Sequence, residues 1–375
     1  MKLIYISNNR MPTELAHGLQ VMQMCQAFTE NNCEVELLVP RRVNPIKESP
    51  FSYYGVKKIF PLKRLPCLDL IFLNGKNIFF WIQTLTFLIS AKIYLLFKHY
   101  DILYTREQMA GFFWGKVVLE LHSLPKRIRP FHRHIWKRAN KLVVLTSFIK
   151  ERLIENGIPE NKIIVAHDGV DLSKFDIDIS KENARRKLNL PQGKKLIGYV
   201  GMLRTLGMEK GIGTALEAFS GLNSPNAILV LVGGYQSDID FYKQKGKILG
   251  IESRLIFIGR VSHNLIPIYL KAFDALIAPF PKNEHYSFFM SPLKIFEYMA
   301  SKRPIIATKL LSLTEILKDS ALLVEPEHAT ELQEGIGTIL DDEALAENLA
   351  DKAFERVLEF TWQKRAKNIL HEINS

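Results

Sequence analysis

The sequence predicts an α/β protein of two doubly wound domains, and three observations lead to this prediction. The chain has 375 residues, which is enough for more than one hydrophobic core. Short apolar runs rich in Val, Ile and Leu alternate with longer amphipathic segments, a pattern typical of βα units and a parallel sheet. The polar stretch DLSKFDIDISKENARRKLNLPQGKK separates these runs into two series. Each series can build one open sheet.

The apolar runs predict the strands of both sheets in order. In the first half they are KLIYIS, EVELLVP, DILYTR, KVVLELH, KLVVLT and KIIVAHD, and in the second KKLIGYVG, AILVLVGG, RLIFIGR, ALIAPF, PIIAT and ALLVEP. We expect domains at 1–175 and 190–355, with the boundary within 172–195. Ligands of open α/β sheets bind at the carboxyl ends of strands. Functional groups should therefore follow strands and face a cleft between the domains.

Positive charge is concentrated in the first half of the chain. The net formal charge is +11, and residues 51–150 contain 17 Lys and Arg against 4 Asp and Glu. The densest run, KRIRPFHRHIWKRANK at 126–141, favours an anionic membrane or nucleic acid, and a solvated helix face is the plain alternative. Only Phe131 and Trp136 could stack on bases there, and no nucleic-acid motif is recognised. We therefore expect an anionic membrane surface as a partner, and no nucleic acid.

The segment 77–97 is apolar enough to be compared with a membrane span, with 15 apolar residues of 21. Polar residues interrupt it, and a strand of a water-exposed domain follows, so a buried or interfacial helix is favoured over a span. Three cysteines without CxxC spacing, and an N-terminus that does not read as a signal peptide, indicate a reducing compartment. The expected location is cytoplasmic, peripheral on the inner membrane face.

The stretch SPLKIFEYMASKRPIIAT, which begins at Ser291, predicts an anion-binding helix. Ser291 suits an N-cap and Pro292 the first helical position, so the amides of the first turn, with Leu293 and Lys294, form an anion site after strand ALIAPF. Glu297 lies one turn beyond Lys294 and can accept hydrogen bonds from two vicinal hydroxyls, as on a ribose. An amphipathic helix with a surface Lys–Glu pair is the structural alternative.

At this stretch the chain resembles the retaining GT-B glycosyltransferases of family 4, also called glycosyl transferases group 1, and the likeness runs almost end to end. The resemblance implies a GT-B fold of two Rossmann-like domains, an acceptor domain followed by a nucleotide-sugar domain. It implies that Glu297 holds the nucleotide ribose. The family usually has a second Glu eight residues earlier, where Phe289 stands here. This departure looks like a subgroup that reads SPLKxFEYMA.

The stretch GYVGMLRTLGMEKGIGTALEAF is similar to the phosphate-binding loop of that family. Gly201 lets the backbone approach a ligand, and Lys210 can neutralise a leaving diphosphate. The family often has an Arg directly after the glycine, where Met202 stands here. Arg204 is the expected substitute.

The N-terminal half carries the resemblance on the acceptor side. VVLELHSLP places Glu120 and His122 at a strand end, where the family has a His, so His122 is a candidate for orienting the reacting groups. A structural His is the alternative. NNRMPTELAHGLQ resembles the first loop and helix, opened by His17 and Gly18, which line the acceptor side. Residues 356–375 are similar to the helix that crosses back onto the N-terminal domain in GT-B folds.

The resemblance implies a retaining glycosyltransferase that moves a sugar from a nucleotide-diphosphate donor to a lipid-linked or surface saccharide, as in polysaccharide or lipopolysaccharide biosynthesis. Lys210, Arg204 and the helix terminus would stabilise the leaving group, so no metal and no other cofactor is expected. Two alternatives stay open. One is a nucleotide-sugar epimerase of GT-B fold, and the other is a non-catalytic nucleotide-sugar-binding protein.

Overall fold

The computed structural model describes residues 1–71, 77–205 and 207–374, with only the backbone of Asn77. It divides the chain into two compact units. The first contains Met1–Asp168 and the chain from Trp362, and the second contains Gly169–Thr361. Each unit is built around its own parallel sheet, which confirms the prediction of two doubly wound α/β domains.

Strands and helices alternate through the described residues. The strands are β1 (Lys2–Ile6), β2 (Glu34–Pro40), β3 (Leu62–Leu65), β4 (Ile102–Thr105), β5 (Lys116–Leu121), β6 (Lys141–Val144), β7 (Ile163–Val165), β8 (Lys195–Val200), β9 (Arg204–Thr205), β10 (Met208–Glu209), β11 (Ala227–Val232), β12 (Leu255–Gly259), β13 (Ala275–Ala278), β14 (Ile305–Thr308) and β15 (Leu322–Val324). The α-helices are α1 (Ala16–Glu30), α2 (Pro50–Tyr54), α3 (Asn77–Leu96), α4 (Pro130–Arg138), α5 (Ser147–Glu155), α6 (Lys181–Lys187), α7 (Ile212–Gly221), α8 (Gln236–Ile248), α9 (Ile266–Ala272), α10 (Leu293–Ala300), α11 (Leu311–Leu317), α12 (Ala329–Asp341), α13 (Glu343–Val357) and α14 (Trp362–Asn374).

The sheet of the first unit has the order β3-β2-β1-β4-β5-β6-β7 over the described residues, all parallel. All predicted runs of this half form strands. The additional strand β3 has the sequence LKRL, whose two charged residues gave no strand signal, and an edge strand can carry such residues. Every residue of β1 after Lys2 is buried, and because successive side chains point to opposite faces, both faces of this strand are covered. Such burial on both faces is what a parallel sheet covered by helices requires.

The sheet of the second unit has the order β12-β11-β8-β13-β14-β15 where the structure describes it. Its strands correspond to the predicted runs of the second half. The chain that leaves β8 forms an antiparallel hairpin, β9 and β10, before α7 begins at Ile212. The carboxyl ends of β8 and β13 lie side by side, because these strands pair at Gly198 and Leu276. The loops after them are therefore neighbours.

The first unit ends slightly earlier than the boundary expected within 172–195. Val170 already belongs to the second unit, since its amide donates to the carbonyl of Phe360 at 2.9 Å. The polar stretch after it forms α6, where Arg185 donates to Asp274 at 2.6 Å. Polar side chains of this stretch therefore form ion pairs within the second unit, and the stretch is not a free linker.

The chain returns to the first unit with its last helix. Helix α13 belongs to the second unit and α14 to the first, so the change falls at Trp362 within the expected segment 356–375. Helix α14 lies against α1, where Gln363 donates to Glu30 at 3.0 Å and Asn31 donates to the carbonyl of Gln363 at 3.3 Å. This packing brings the side chains of α14 to the sheet of the first unit.

Candidate functional site

The glycine-rich end of β8 makes room for side chains and ligands in the second unit. Gly201 has a φ of +140°, and a Cβ there would lie 2.7 Å from Nζ of Lys294. Gly233, which follows β11, has a φ of +115°, and its Cβ would lie 2.3 Å from the carbonyl oxygen of Gly201. Both positions therefore need glycine, and the lysine can lie directly against the backbone at the strand end.

Two half-buried lysines lie at this strand end. Nζ of Lys294 lies 3.7 Å from the centre of the Tyr199 ring, and Nζ of Lys210 lies 4.5 Å from that of Tyr286. Both ammonium groups also face Phe280, at 5.3 and 5.7 Å. Within the described residues Nζ of Lys294 is buried without a hydrogen-bond partner. Both ammonium groups contact aromatic rings at positions where a carboxylate partner would be expected. The two lysines are therefore arranged to receive an anion.

The environment of these lysines lowers their proton affinity. Burial lowers the pKa of Lys210 to about 8. Burial, together with repulsion from Lys210, places the pKa of Lys294 well below its ordinary value. A bound diphosphate would reverse both effects, because an opposite charge favours the protonated amine.

Helix α10 carries the predicted ribose ligand but starts later than expected. It begins at Leu293, the residue before it is Pro292, and no side chain caps it, so Ser291 is not the N-cap. Oε1 of Glu297 lies 3.2 Å from Nε2 of His263. Lys294, one turn earlier, lies against Tyr199 and forms no ion pair with Glu297 among the described contacts, so the surface Lys–Glu pair is not formed. Glu297 is 14% exposed and can still accept hydrogen bonds.

Arg204 lies on β9, in the hairpin that Lys210 directly follows, but it contacts different rings. Its guanidinium lies 4.3 Å from the ring centre of Phe241 and 5.8 Å from that of Tyr242, both on α8. Its partner across the hairpin is Glu209, whose Oε1 accepts from the hydroxyl of Tyr242 at 3.2 Å. The structure therefore brings Lys210 and Lys294 together around Phe280, whereas the side chain of Arg204 packs against rings of α8.

In the first unit the functional side chains meet at Glu120, the next-to-last residue of β5. Its fully buried carboxylate accepts from Gln20 at 2.8 Å, Tyr104 at 2.6 Å and Arg365 at 2.9 Å, and His122 Nε2 lies 2.7 Å away. Burial alone would raise the pKa of Glu120, but Arg365 and His122 hold it well below its ordinary value. The carboxylate is therefore charged and orients the imidazole.

His122 is neutral in this setting. Burial and repulsion from Arg106 lower its pKa to about 4, although the hydrogen bond with Glu120 opposes this. Because Glu120 only accepts, Nε2 of His122 carries the proton, which leaves Nδ1 as an acceptor. Such an imidazole can accept a hydrogen bond from a hydroxyl group, which is the role expected of a residue that orients an acceptor.

The two residues predicted at the start of α1 have different surroundings. Burial, with repulsion from Arg106, lowers the pKa of His17 to about 4. A Cβ at Gly18 would lie 2.0 Å from the hydroxyl of Tyr54, which itself bonds both the amide and the carbonyl of Thr13. The glycine is therefore required by packing, and helix α1 begins two residues before it, at Ala16.

Sequence reasoning missed four partners of this network: Gln20, Tyr104, Arg106 and Arg365. Nη1 of Arg106 donates to Oε1 of Gln20 at 3.1 Å, and Arg365 also donates to the carbonyl of His167 at 2.8 Å. Arg365 lies on α14, some 245 positions from Glu120 in the sequence. A basic residue on a basic helix carries no sign that it is buried.

The sequence assigned two segments of the first unit to a membrane, helix α3 and the basic run. Residues Ile78–Leu96 are long and apolar enough to cross a membrane by length and composition, and a third of them are buried in the structure. Trp81 is 60% and Leu96 63% exposed, and Phe97 follows at 82%. In the basic run Trp136 is fully buried, so it offers no ring for base stacking.

Comparisons with known proteins agree with the fold. Residues 18–174 match the family model described as Glycosyltransferase Family 4, and residues 180–356 match that described as Glycosyl transferases group 1. D-inositol 3-phosphate glycosyltransferase of Corynebacterium urealyticum is 28% identical over 264 residues, which are 66% of this chain and 60% of that protein. The Bacillus subtilis glycosyltransferase TuaC, named for teichuronic acid biosynthesis, is 31% identical over 208 residues, 54% of this chain and 48% of that protein. The chain thus spans about half to three-fifths of the length of these relatives.

A solved structure extends the likeness to the whole chain. Anabaena HepE in complex with UDP and glucose has a TM-score of 0.75 and 17% sequence identity, and the match covers 100% of both chains. At this identity the likeness concerns the fold.

Proposed function

Because the chain belongs to the group 1 glycosyltransferases of GT-B fold, we propose that it transfers a sugar from a nucleotide-diphosphate donor to a saccharide acceptor. The observation that carries the proposal is the half-buried pair Lys210 and Lys294 at the carboxyl end of β8, which has aromatic neighbours and room for an anion. HepE, a structural neighbour, has been solved with UDP and glucose. The second unit is thus the donor-binding unit of the proposal.

Departure of the diphosphate places the electron pair of the broken anomeric C–O bond on a phosphate oxygen. Lys210 and Lys294 lie where they can stabilise this charge, and their desolvated surroundings strengthen the interaction. Glu297 holds the ribose hydroxyls of the nucleotide. Arg204 was expected beside Lys210, and we assign it a supporting part only, because its guanidinium rests on Phe241.

We propose that the acceptor hydroxyl is oriented by His122 of the first unit and that configuration at the anomeric carbon is retained. Nδ1 of the neutral imidazole can accept the hydroxyl proton in a hydrogen bond, while Glu120 fixes the ring. The proposal of retention rests on family membership alone. Among the described side chains there is no evident nucleophile for a double displacement, so the side chains themselves do not argue for it. The proposal requires no metal ion, so transfer should be unchanged in excess chelator.

The proposed acceptor is a lipid-linked or surface saccharide at an anionic membrane. Helix α3 supports this: Trp81, Leu85 and Ile89 are exposed on one face, while Thr84 on the other is buried and accepts from Nδ2 of Asn8 at 2.8 Å. A helix held this way lies along the surface, and its apolar face suits the headgroup boundary of a bilayer. The basic run 126–141 would meet anionic lipids.

The deciding experiment is a panel of nucleotide sugars incubated with the full chain, with and without extracted glycolipid, followed by product identification. Donor consumption that depends on glycolipid and yields an extended saccharide supports the transferase. Consumption without acceptor and with an altered sugar would indicate the epimerase. Binding without consumption would indicate the non-catalytic protein, for which the buried Phe289 in place of the usual Glu is the relevant departure.

A matched pair of variants connects that result to the site. Glu297→Gln should weaken nucleotide binding by roughly 10-fold or more, because a hydrogen bond to a charged group contributes about 1.5–3 kcal/mol. Glu252→Gln, an exposed carboxylate of the same unit, is the control. Calorimetry with the nucleoside diphosphate measures both, and equal affinities would remove Glu297 from the site.

A further inference from the structure

A cavity of about 330 Å³ in the first unit has no part in the function described so far. Its walls come from the chain after β1, the loop after β2 and strand β3. These segments lie at the carboxyl edge of the sheet, where doubly wound sheets bind their ligands. The volume is that of a small ligand pocket, large enough for a monosaccharide with a charged substituent.

The walls of this cavity are cationic. Among the residues that the structure describes, Arg10, Arg42, Lys47 and Arg64 line it, against one carboxylate, that of Glu48. Four cations around one concave site favour an anion over a neutral sugar, whose hydroxyls need no net charge. The concave shape favours a small group over a membrane or a nucleic acid, which need a protruding or open surface.

Two of the guanidinium groups are fixed by ion pairs at the rim. Nη2 of Arg10 lies 2.7 Å from Oε2 of Glu14, and Nε of Arg42 lies 3.3 Å from Oδ1 of Asp69. The Arg42 side chain is 17% exposed, so its ion pair with Asp69 is largely shielded from water. Each guanidinium has five N–H donors, and one ion pair leaves several of them available.

The other two cations lack such partners. Nη2 of Arg64 donates to the carbonyl of Met11 at 3.3 Å, which turns the guanidinium toward the cavity wall. Among the described residues neither Arg64 nor Lys47 has a carboxylate within 4 Å. No ion pair within 4 Å therefore fixes either of these two charges, and Oε1 of Glu48, the carboxylate in the cavity wall, accepts from the hydroxyl of Ser52.

We propose that this cavity binds a phosphate or carboxylate group carried by the acceptor saccharide. That the ligand is the acceptor depends on the proposed transfer. That the ligand is an anion is inferred from the cavity alone. The planar guanidinium fork matches both carboxylate and phosphate oxygens. Recognition of a charged substituent here would select acidic or phosphorylated saccharides over neutral ones.

The test is protection of arginines from phenylglyoxal, read residue by residue by mass spectrometry on the full chain without donor. The probes are glucose 6-phosphate, glucuronate and inorganic pyrophosphate at matched ionic strength, with methyl glucoside as the neutral control. We expect at least one charged probe to slow modification of Arg42 and Arg64 several-fold. Arg133, which is exposed on α4 of the same unit, should react unchanged.

The probes distinguish the sources of the anion. Protection by glucose 6-phosphate indicates a sugar phosphate, protection by glucuronate an acidic sugar, and protection by pyrophosphate alone the diphosphate of a lipid carrier. No protection by any probe, or equal protection of Arg133, would overturn the inference.

Variants separate the cavity from general charge. Lys47→Gln and Arg64→Gln should each reduce the protection of Arg42, and Lys58→Gln, an exposed cation of the same unit, should not. Lys47→Gln removes no described hydrogen bond, so it remains informative if Arg64→Gln fails to fold. A failed transfer assay would leave the protection pattern intact, whereas lost protection with intact transfer would overturn only the cavity.

Discussion

Glu120 determines the state of its neighbours in the first unit. It is fully buried, and hydrogen bonds donated by Tyr104, Gln20 and Arg365 stabilise its ionised carboxylate. A charged Glu120 beside a neutral His122 fixes both the orientation and the tautomer of the imidazole. In other enzymes, too, a carboxylate orients a catalytic His through a hydrogen bond to the ring. Here the same orientation is achieved while the His stays neutral.

His122→Ala should lower the transfer rate about 10²-fold with little change in donor affinity, because the imidazole acts on the acceptor hydroxyl. The rate should show no titration of His122 between pH 5 and 8, since its pKa is about 4. His99→Ala, at an exposed position of the same unit, is the control. A near-normal rate in His122→Ala would leave it a structural residue at a strand end.

The lowered pKa of Lys210 predicts how kcat/KM for the donor changes with pH. With a pKa of about 8 in the free protein, Lys210 is charged below pH 8 and neutral above it. Because the diphosphate binds the charged form, kcat/KM for the donor should be constant below pH 8 and fall above it. Lys210→Arg keeps its charge and should lose this falling limb, and Lys210→Ala should lower kcat more than it raises KM. A limb that persists in Lys210→Arg would assign it to another group.

At the residue scale the sequence predicted the types of side chain better than their partners. Lys210, Lys294, Gly201 and Glu297 stand after strands, where the motif placed them, and the structure brings both lysines to one strand end. Arg204 could not be placed from sequence, because its position depends on the rings of α8, a helix more than thirty residues away. The partners of Glu120 were missed for the same reason.

At the element scale, periodicity identified buried strands and missed elements that are stabilised by context. Strand β3 has a polar sequence and exists because its backbone pairs with β2 at the sheet edge. Helix α10 begins at Leu293 because the residue before it, Pro292, holds an extended ψ of 121°. Helix α14 was expected from the resemblance, but its anchor, Arg365, becomes evident only from the packing.

Arg365→Ala should destabilise the first unit by about 3–5 kcal/mol, because it leaves the charge of Glu120 buried without its cation. The pKa of Glu120 is depressed in the folded state, so this contribution is present above the ordinary carboxyl pKa and is lost only as pH falls through the lower folded value. Urea unfolding at pH 5 and pH 8 should therefore show a similar loss. Hydrogen exchange should also increase along α14.

The control for this prediction is Lys367→Ala, on the exposed side of the same helix. It removes a charge and keeps the buried pair, and it should change the unfolding free energy by less than about 0.5 kcal/mol. Equal effects of both substitutions would show that helix α14 depends on its overall charge and not on the contact with Glu120.

At the scale of the whole molecule, the charge asymmetry and helix α3 belong to the same unit. Residues 51–150 carry most of the positive excess, and Trp81, Leu85 and Ile89 lie exposed within that range. The donor lysines lie in the other unit, where the sequence is close to neutral. Membrane contact and donor binding are therefore assigned to different units and can be tested separately.

The full chain should sediment with anionic vesicles at low salt, bind neutral vesicles weakly, and be released as the salt concentration rises. Each Lys or Arg near an anionic leaflet contributes about 1 kcal/mol, screened beyond roughly 10 Å at physiological salt. Changing Arg127, Arg129, Arg133 and Arg138 to Gln should abolish most of this binding. The matched control changes four exposed lysines of the second unit to Gln: Lys187, Lys243, Lys247 and Lys282.

The apolar face of α3 gives the second arm of that experiment. Trp81→Ser with Leu85→Ser removes exposed apolar area without touching Thr84, which is held by Asn8, so the fold should be kept and vesicle affinity should fall at every salt concentration. Tryptophan fluorescence of the unaltered chain should shift to the blue on anionic vesicles, because Trp81 enters the interface. Pelleting that resists high salt would instead indicate that Ile78–Leu96 spans the bilayer, which would require it to give up the buried contact with Asn8. Failure to pellet with anionic vesicles at low salt would rule out the membrane as a partner and leave the basic run 126–141 as a solvated surface.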